Sequence, residues 1–527
     1  MPTINGSAVG QEVMVSAPHP LATRAALDIL RAGGTAVDAA VAANAVLCTV
    51  MPDQCSLGGD LFALVYDPET RQVTGLNGSG AAPQPATVAE LRRRGLTTMP
   101  TQGPLSITVP GTVMAWETLS RRWGRLPWAD LFAAAIDHAA HGFAVTPQLS
   151  HTASANQHLI AQSPVATSLF RPGGHGLLPG EPLVQPQLAE VFRTISRHGG
   201  PAFYTGDMAA EIARTVQAVE GLLTVADLHS QQSEWVKPVS VDYRGRTVYS
   251  LPPNSMGVLF LAILNQLSHQ EMASLEFQNS AYIDRCVKAV TRAFGDGRPQ
   301  VADPRFAKTE WMKLISAEWG SDRDASTQPA RLSLPGDTVY LCVVDKSGMG
   351  VSLIQSIYFD FGAGVFVDAL GFFLQNRGAS FSLDVSDPNC LAPGKRPRHT
   401  LMPALVCREG QLSMLLGTRG GDGQAQTLTQ LLSGMVDFGL EPQQAVGAPR
   451  WVWGGTSAAR RTAGIAMEAS FPASTFDELR TQGHAVQPTD SLSVYWMGCA
   501  QAIQIDAPHG RLLGGADPRG GGLAQGW

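Results

Sequence analysis

Charge is scarce in this chain. Asp, Glu, Lys and Arg together make up 16% of its 527 residues, and the net charge of -6 is spread along the sequence. The densest basic runs, "RRR" at 92–94 and "KRPR" at 395–398, are short. A nucleic-acid binder presents a basic face to phosphates, so no nucleic-acid partner is expected. Cysteine is sparse and unpatterned. Cys48, Cys55, Cys286, Cys342, Cys390, Cys407 and Cys499 are odd in number, and no Cys-x-x-Cys occurs. That argues against a disulfide framework or a zinc site and favours a reducing compartment. The opening "MPTINGSAVGQEV" has no basic segment followed by an apolar core, so no signal peptide is expected. The longest apolar run, 36–51, contains Asp38 and Asn44 and is too short to cross a bilayer. These absences point to a soluble, cytoplasmic protein without a membrane partner. Internal repeats and low-complexity tracts are also missing.

Apolar residues, by contrast, reach 44%, with 55 glycines and 35 prolines. Length alone allows two to four domains, and the composition suits a large core with many tight turns. "HPLATRAALDILRAGG" reads as an amphipathic helix ended by Gly33-Gly34, followed by an Ala-rich, buried helix. "GGDLFALVYDPETRQVTGLNG" reads as strand, turn, strand. Residues 111–300 are mostly helical patterns. "VDYRGRTVYSLPPNSMGVLFLAILNQL" gives strand, proline-rich turn, helix. A polar segment at 321–337 has the composition of an exposed linker or processing loop. Strands then run to about 420, with a helix near 424–438.

The segment after that linker, "PGDTVYLCVVDKSGMGVSLIQS" (335–356), raises the functional question. From Thr338 onward the strand is apolar on both faces. Val339, Leu341 and Val343 take one, and Tyr340, Cys342 and Val344 the other, as in the inside of a layered sandwich. "KSG" fits a three-residue hairpin loop with Gly348 in the left-handed position. Counting back along the ladder places Ser356 across from Thr338, and a register shifted by one residue would turn Ser356 to the other face. A threonine hydroxyl needs a base to become a nucleophile, and a chain-terminal threonine carries one in its own α-amine, of reference pKa about 7.7–8.0. Freeing that amine requires cutting Asp337–Thr338. The hydroxyl can do so by attacking the Asp337 carbonyl to form an ester that water splits, with Gly336 allowing the backbone geometry. The alternative is an ordinary strand start.

Ten stretches, in order, carry a resemblance: "HPLATRAALDILRAGGTAVDAAVAA", "SLGGDLFALVYD", "VPGTVMAW", "AFYTGDMAAEIA", "DYRGRTVYSLPPNSMG", "ADPRF", "DTVYLCVVDKSGMGVSLIQS", "FGAGVFV", "GKRP" and "LLGTRGGDG". Over nearly its whole length the chain resembles the γ-glutamyltranspeptidase family of N-terminal-nucleophile hydrolases. The resemblance implies an α+β fold, a four-layer αββα sandwich built from both halves of the chain. It implies self-cleavage into a large subunit, 1–337, and a small subunit, 338–527, of about 36 and about 20 kDa by proportional length. Assembly as a dimer of such heterodimers is possible within that expectation. The family's nucleophile falls on Thr338, and its second hydroxyl on Ser356. Its oxyanion glycines fall on Gly420 and Gly421, whose backbone N–H groups are fixed before charge develops. "GTRGGDG" as a phosphate loop is excluded because no Gly-Lys-Ser/Thr follows.

Departures from the family pattern redefine the expected pocket. Val88 stands where the arginine that holds the glutamyl carboxylate is usual, and Ser380 where a carboxylate would pair with the glutamyl ammonium. Arg377 replaces a glutamine, Tyr358 an asparagine, and His399-Thr400 a Ser-Ser pair. The segment before "GKRP" is short, so a reduced lid is expected. The pocket has lost the partner of a cation and gained Arg377 and His399, so a small anionic amide without an ammonium group is the expected substrate. Arg419, beside the glycines, is a second candidate for the anion. A plain ion pair is the alternative for either arginine, and an ordinary buried polar residue the alternative for His399. The expected reaction is hydrolysis of oxamate to oxalate and ammonia, as in bacterial purine (urate) breakdown. A γ-glutamyl hydrolase or transpeptidase, an acylase for dicarboxylic side chains, and an uncleaved binding protein are the alternatives. No cofactor is expected, and no metal, since His138 and His141 have no evident third ligand.

Overall fold

The two apolar faces of the strand at Thr338 enter two different cores. A computed structural model of the chain describes residues 6–322, 336–454, 464–489 and 497–527. Most of the polar segment read as a processing loop, 323–335, lies outside the described residues. Val339, Leu341 and Val343 pack with the helices Pro20–Arg31 and Ala36–Val50. Tyr340, Cys342 and Val344 face Leu405, Leu415 and Ile503 of a second sheet. A third cluster lies beyond that sheet, where Ala404, Val406 and Leu416 meet the helices Gly257–Ser268, Ser280–Gly297 and Gln424–Val436. Helix, sheet, sheet, helix is the expected αββα sandwich.

Each main sheet has seven antiparallel strands. One runs Leu523–Gly526, Met14–Ala17, Asp337–Val344, Gly350–Tyr358, Asp60–Asp67, Gln72–Gly78, Glu234–Val236. The other runs Ala8–Gly10, Arg511–Ala516, Ala500–Asp506, Gln411–Thr418, Ala404–Arg408, Thr247–Ser250, Val239–Asp242. Both sheets contain strands from before and from after Thr338, so a cut there would leave two pieces held by shared sheets.

The first two helices form as their sequence directs. Gly33, at φ +90°, ends the first. Thr35 and Asp38 make a reciprocal cap that starts the second. This accounts for one polar residue in an otherwise apolar run. The other, Asn44, donates to Gln355 Oε1 (2.7 Å) and accepts from the Trp116 indole (2.8 Å). Among the described residues no helix is long and apolar enough to cross a membrane.

The sheets approach closely at Gly417. A Cβ there would lie 2.1 Å from the Tyr340 ring, and that ring is pinned by a 2.8 Å hydrogen bond between its hydroxyl and Ser352. Overpacking of this kind costs about 1–3 kcal/mol. Gly417→Ala should lower the thermal midpoint by a few degrees in a melting experiment, and an unchanged midpoint would show that the layers part freely.

Candidate active site

The hairpin holds the expected register until its last step. Gly348 sits at φ +82°, Val344 pairs with Gly350 and Val339 with Gln355. Between Val339 and Asp337 the ladder slips by one, so Asp337 pairs with Tyr358 and Thr338 lies in the irregularity. That slip redirects Ser356. Its hydroxyl donates to the carbonyl oxygen of Asp337 at 2.6 Å, rather than to Thr338, and accepts from the Tyr358 N–H at 2.7 Å. The hydroxyl expected to pair with Thr338 therefore binds the carbonyl of the residue before it. Tyr358 pays in backbone strain, at φ +84°, unusual for a bulky residue. Gly336 is not needed for a positive φ. A Cβ there would meet Tyr358, with its carbonyl oxygen at 2.9 Å.

If the chain is cut before Thr338, a donor on the Asp337 carbonyl would stabilise the oxyanion formed there, and removing one such donor typically costs about 10²–10³ in rate. Ser356→Ala should slow conversion of the full-length chain by that factor, read as band intensity over time on denaturing gels. Ser356→Thr should restore it. Cleavage of Ser356→Ala at the wild-type rate would remove this role.

Gly420 and Gly421 follow the strand Gln411–Thr418 and lead into the helix Gln424–Val436 through a short 3-10 turn. Their φ values are +127° and +55°, which glycine alone adopts easily. Among the described residues neither N–H has a protein acceptor. Two unused donors at a helix start suit a developing negative charge. Asp422, just beyond, pairs with Arg298.

Arg377, Tyr358, Thr400 and His399 are brought together, all buried. Arg377 Nη1 donates to Thr400 Oγ1 at 3.1 Å, and its guanidinium carbon lies 3.8 Å over the Tyr358 ring. Among the described residues its Nε and Nη2 have no hydrogen-bond partner. Burial brings its pKa down to about 10, which leaves it charged at neutral pH. His399 is held at both ring nitrogens. Leu401 N–H donates to Nδ1 at 3.3 Å, so Nε2 carries the proton and donates to Asp60 at 3.1 Å. Burial and the Arg377 charge push its pKa well below normal. The ring is neutral with both nitrogens engaged, and it positions Asp60 rather than offering charge to an anion. Asp60 also accepts from Gly80 N–H and Gln375 Nε2, each at 2.9 Å.

Around Asp337 and Arg419, which the sequence reading named, lie two buried acids that it missed, Asp53 and Asp360. Arg419 pairs with the Asp337 carboxylate at 3.3 Å and with Gln54. Asp53, 1% exposed, faces the same pair, and burial followed by the Asp337 charge raises its carboxyl to about 6. Burial and Asp337 also push Asp360 well up. The signal was present in "MPDQCSLGGD", two acids embedded in an apolar context with no surface to serve.

Val88 and Ser380 have structural surroundings of their own. Val88 begins the helix Val88–Arg93, and the Ser380 carbonyl accepts from Asn389 at 2.6 Å. His138 and His141 share a helix, and His141 pairs with Asp137 at 2.8 Å. Among the described residues no group of three metal-ligating side chains occurs.

The arrangement can be set beside known proteins. The family model described as gamma-glutamyltranspeptidase matches residues 22–527. The glutathione hydrolase-like YwrD proenzyme of Bacillus subtilis is 39% identical over 99% of this chain and 100% of its own length. The oxamate amidohydrolase proenzyme of Klebsiella pneumoniae is 35% identical over 99% and 100%. Cephalosporin acylase from Bacillus halodurans superposes with a TM-score of 0.92 at 34% identity, over 100% of this chain and 98% of that one. The chain belongs to the γ-glutamyltranspeptidase family.

Proposed function

We propose that the chain cuts itself between Asp337 and Thr338 and then hydrolyses a small anionic amide, with oxamate, split to oxalate and ammonia, the substrate of first choice. The carrying observation is Arg377. It is fully buried, yet two adjacent guanidinium nitrogens, Nε and Nη2, point at no protein acceptor. Leaving a buried charge half unpaired costs several kcal/mol, and the cost is offset when a ligand carboxylate takes both nitrogens side by side. The surroundings support an anion without an ammonium. Ser380 stands where a carboxylate would be needed, and both oxygens of Asp60 are occupied.

In this reading the free amine of Thr338 takes its hydroxyl proton, and the hydroxyl oxygen adds to the amide carbon. The N–H groups of Gly420 and Gly421 receive the oxyanion, ammonia leaves, and water splits the resulting ester. Ammonia release from oxamate by the purified protein tests it. The expected result is release from oxamate and none from a chromogenic γ-glutamyl anilide, and the reverse pattern would move the assignment to glutamyl substrates.

One observation favours a second reading, an acylase for dicarboxylic side chains. The Asp337 carboxylate reaches Arg419, two carbons beyond the carbonyl that Thr338 attacks. A succinyl amide would place its own carboxylate there once Asp337 has left. Turnover of succinamate in preference to oxamate would select this reading and move the anion site from Arg377 to Arg419.

A further inference from the structure

A cavity of about 20 Å³ opens against Thr338, lined also by Asp53, Gln54, Arg419, Cys499 and His19. That volume holds one water. Self-cleavage as proposed above requires one water, because the ester left by the attack of Thr338 must be hydrolysed. The wall of the cavity limits what can accept that water's proton. His19 Nδ1 accepts from Leu21 N–H at 3.2 Å, so its proton is on Nε2, and burial holds its pKa down at about 4. Burial pushes the Cys499 thiol up to about 11. Arg419 is cationic, and Gln54 does not titrate. Asp53 remains. Its Oδ2 accepts weakly from Gln54, at 3.4 Å, and its buried Oδ1 has no partner among the described residues.

We infer that Asp53 is the general base that activates the water in the second half of self-cleavage. This rests on the self-cleavage reading. In the first half the Thr338 oxygen bonds to the Asp337 carbonyl carbon, the C–N bond breaks, and the hydroxyl proton ends on the Thr338 nitrogen. In the second half the water oxygen bonds to the same carbon while its proton passes to Asp53 Oδ1. The C–Oγ bond then breaks, and Asp53 returns the proton to Thr338 Oγ. The products are the Asp337 carboxyl group and a Thr338 with free hydroxyl and amine. Arg419 fixes the Asp337 side chain meanwhile, through the ion pair at 3.3 Å. A carboxyl near 6 is ionised at neutral pH and still basic enough to take the proton.

The test follows the ester. Asp53→Asn should convert from full-length chain about 10²-fold more slowly than wild type. Hydroxylamine at pH 7 does not need a general base, and it should restore the cut within minutes. Mass spectrometry should then show fragment 1–337 ending in a hydroxamate at Asp337. Cleavage of Asp53→Asn at the wild-type rate would overturn the inference. So would a variant that melts like the uncut Thr338→Ala chain yet stays whole in hydroxylamine. Asp53→Ser carries the same comparison if the amide variant does not fold. A wild-type control that is itself uncut is a separate outcome, which defeats the self-cleavage reading beneath.

Discussion

Thr338→Ala should yield a single uncut chain of 55.8 kDa and no measurable ammonia release from oxamate. Both losses follow from one oxygen. Without Oγ nothing attacks the Asp337 carbonyl, so the ester never forms and the amine is never freed. Without the freed amine and the hydroxyl, the amide substrate meets neither base nor nucleophile. Removing a nucleophile that acts as a unit with its base costs about 10⁶ in kcat in well-studied hydrolases. The remaining Gly420 and Gly421 donors cannot compensate, since Asp337 still fills the site. Thr338→Ser retains a hydroxyl and should cut and turn over at reduced rates. Denaturing electrophoresis and an ammonia assay on the same preparations check both halves. An uncut yet active Thr338→Ala protein would sink the mechanism.

Arg377→Lys should lower kcat/KM for an anionic amide by about 10²–10³, with the loss mainly in KM, because a lysine offers a point charge and no fork. Arg377→Met separates a binding role from a structural one. A structural arginine, removed, destabilises the fold. Arg377 has one neutral partner, Thr400, and a Tyr358 ring beneath it, while two of its nitrogens are buried and unpaired. Replacing it by an apolar side chain of similar length relieves that desolvation. Arg377→Met should therefore lose oxamate hydrolysis while keeping or raising the melting temperature, the trade expected of a functional site. A marked fall in melting temperature with activity retained would assign Arg377 to the scaffold.

How far the sequence carried this reading depends on distance along the chain. The alternating faces of Val339–Val344 and the turn at Gly348 are local, and they located the strand, its two cores and Ser356 to within one residue. The sequence left a one-residue slip open and could not decide it, because periodicity does not encode the positive φ of Tyr358 or its contact with Gly336. His399 reads in sequence as added charge, and only its distant partner Asp60 and the Leu401 N–H show it neutral. Asp53 meets Thr338 across nearly three hundred residues, so the sequence shows each residue but not the cavity they both line. The glycines before the helix at Gln424 were placed by the family resemblance, and their positive φ values, +127° and +55°, are ones glycine alone adopts easily.

The most direct test of the central claim is the intact mass of the purified wild-type protein. The account predicts two components, residues 1–337 and a small chain whose first residue is Thr338. A single full-length mass, or a cut elsewhere in the 323–335 segment that leaves Thr338 inside a chain, would contradict it.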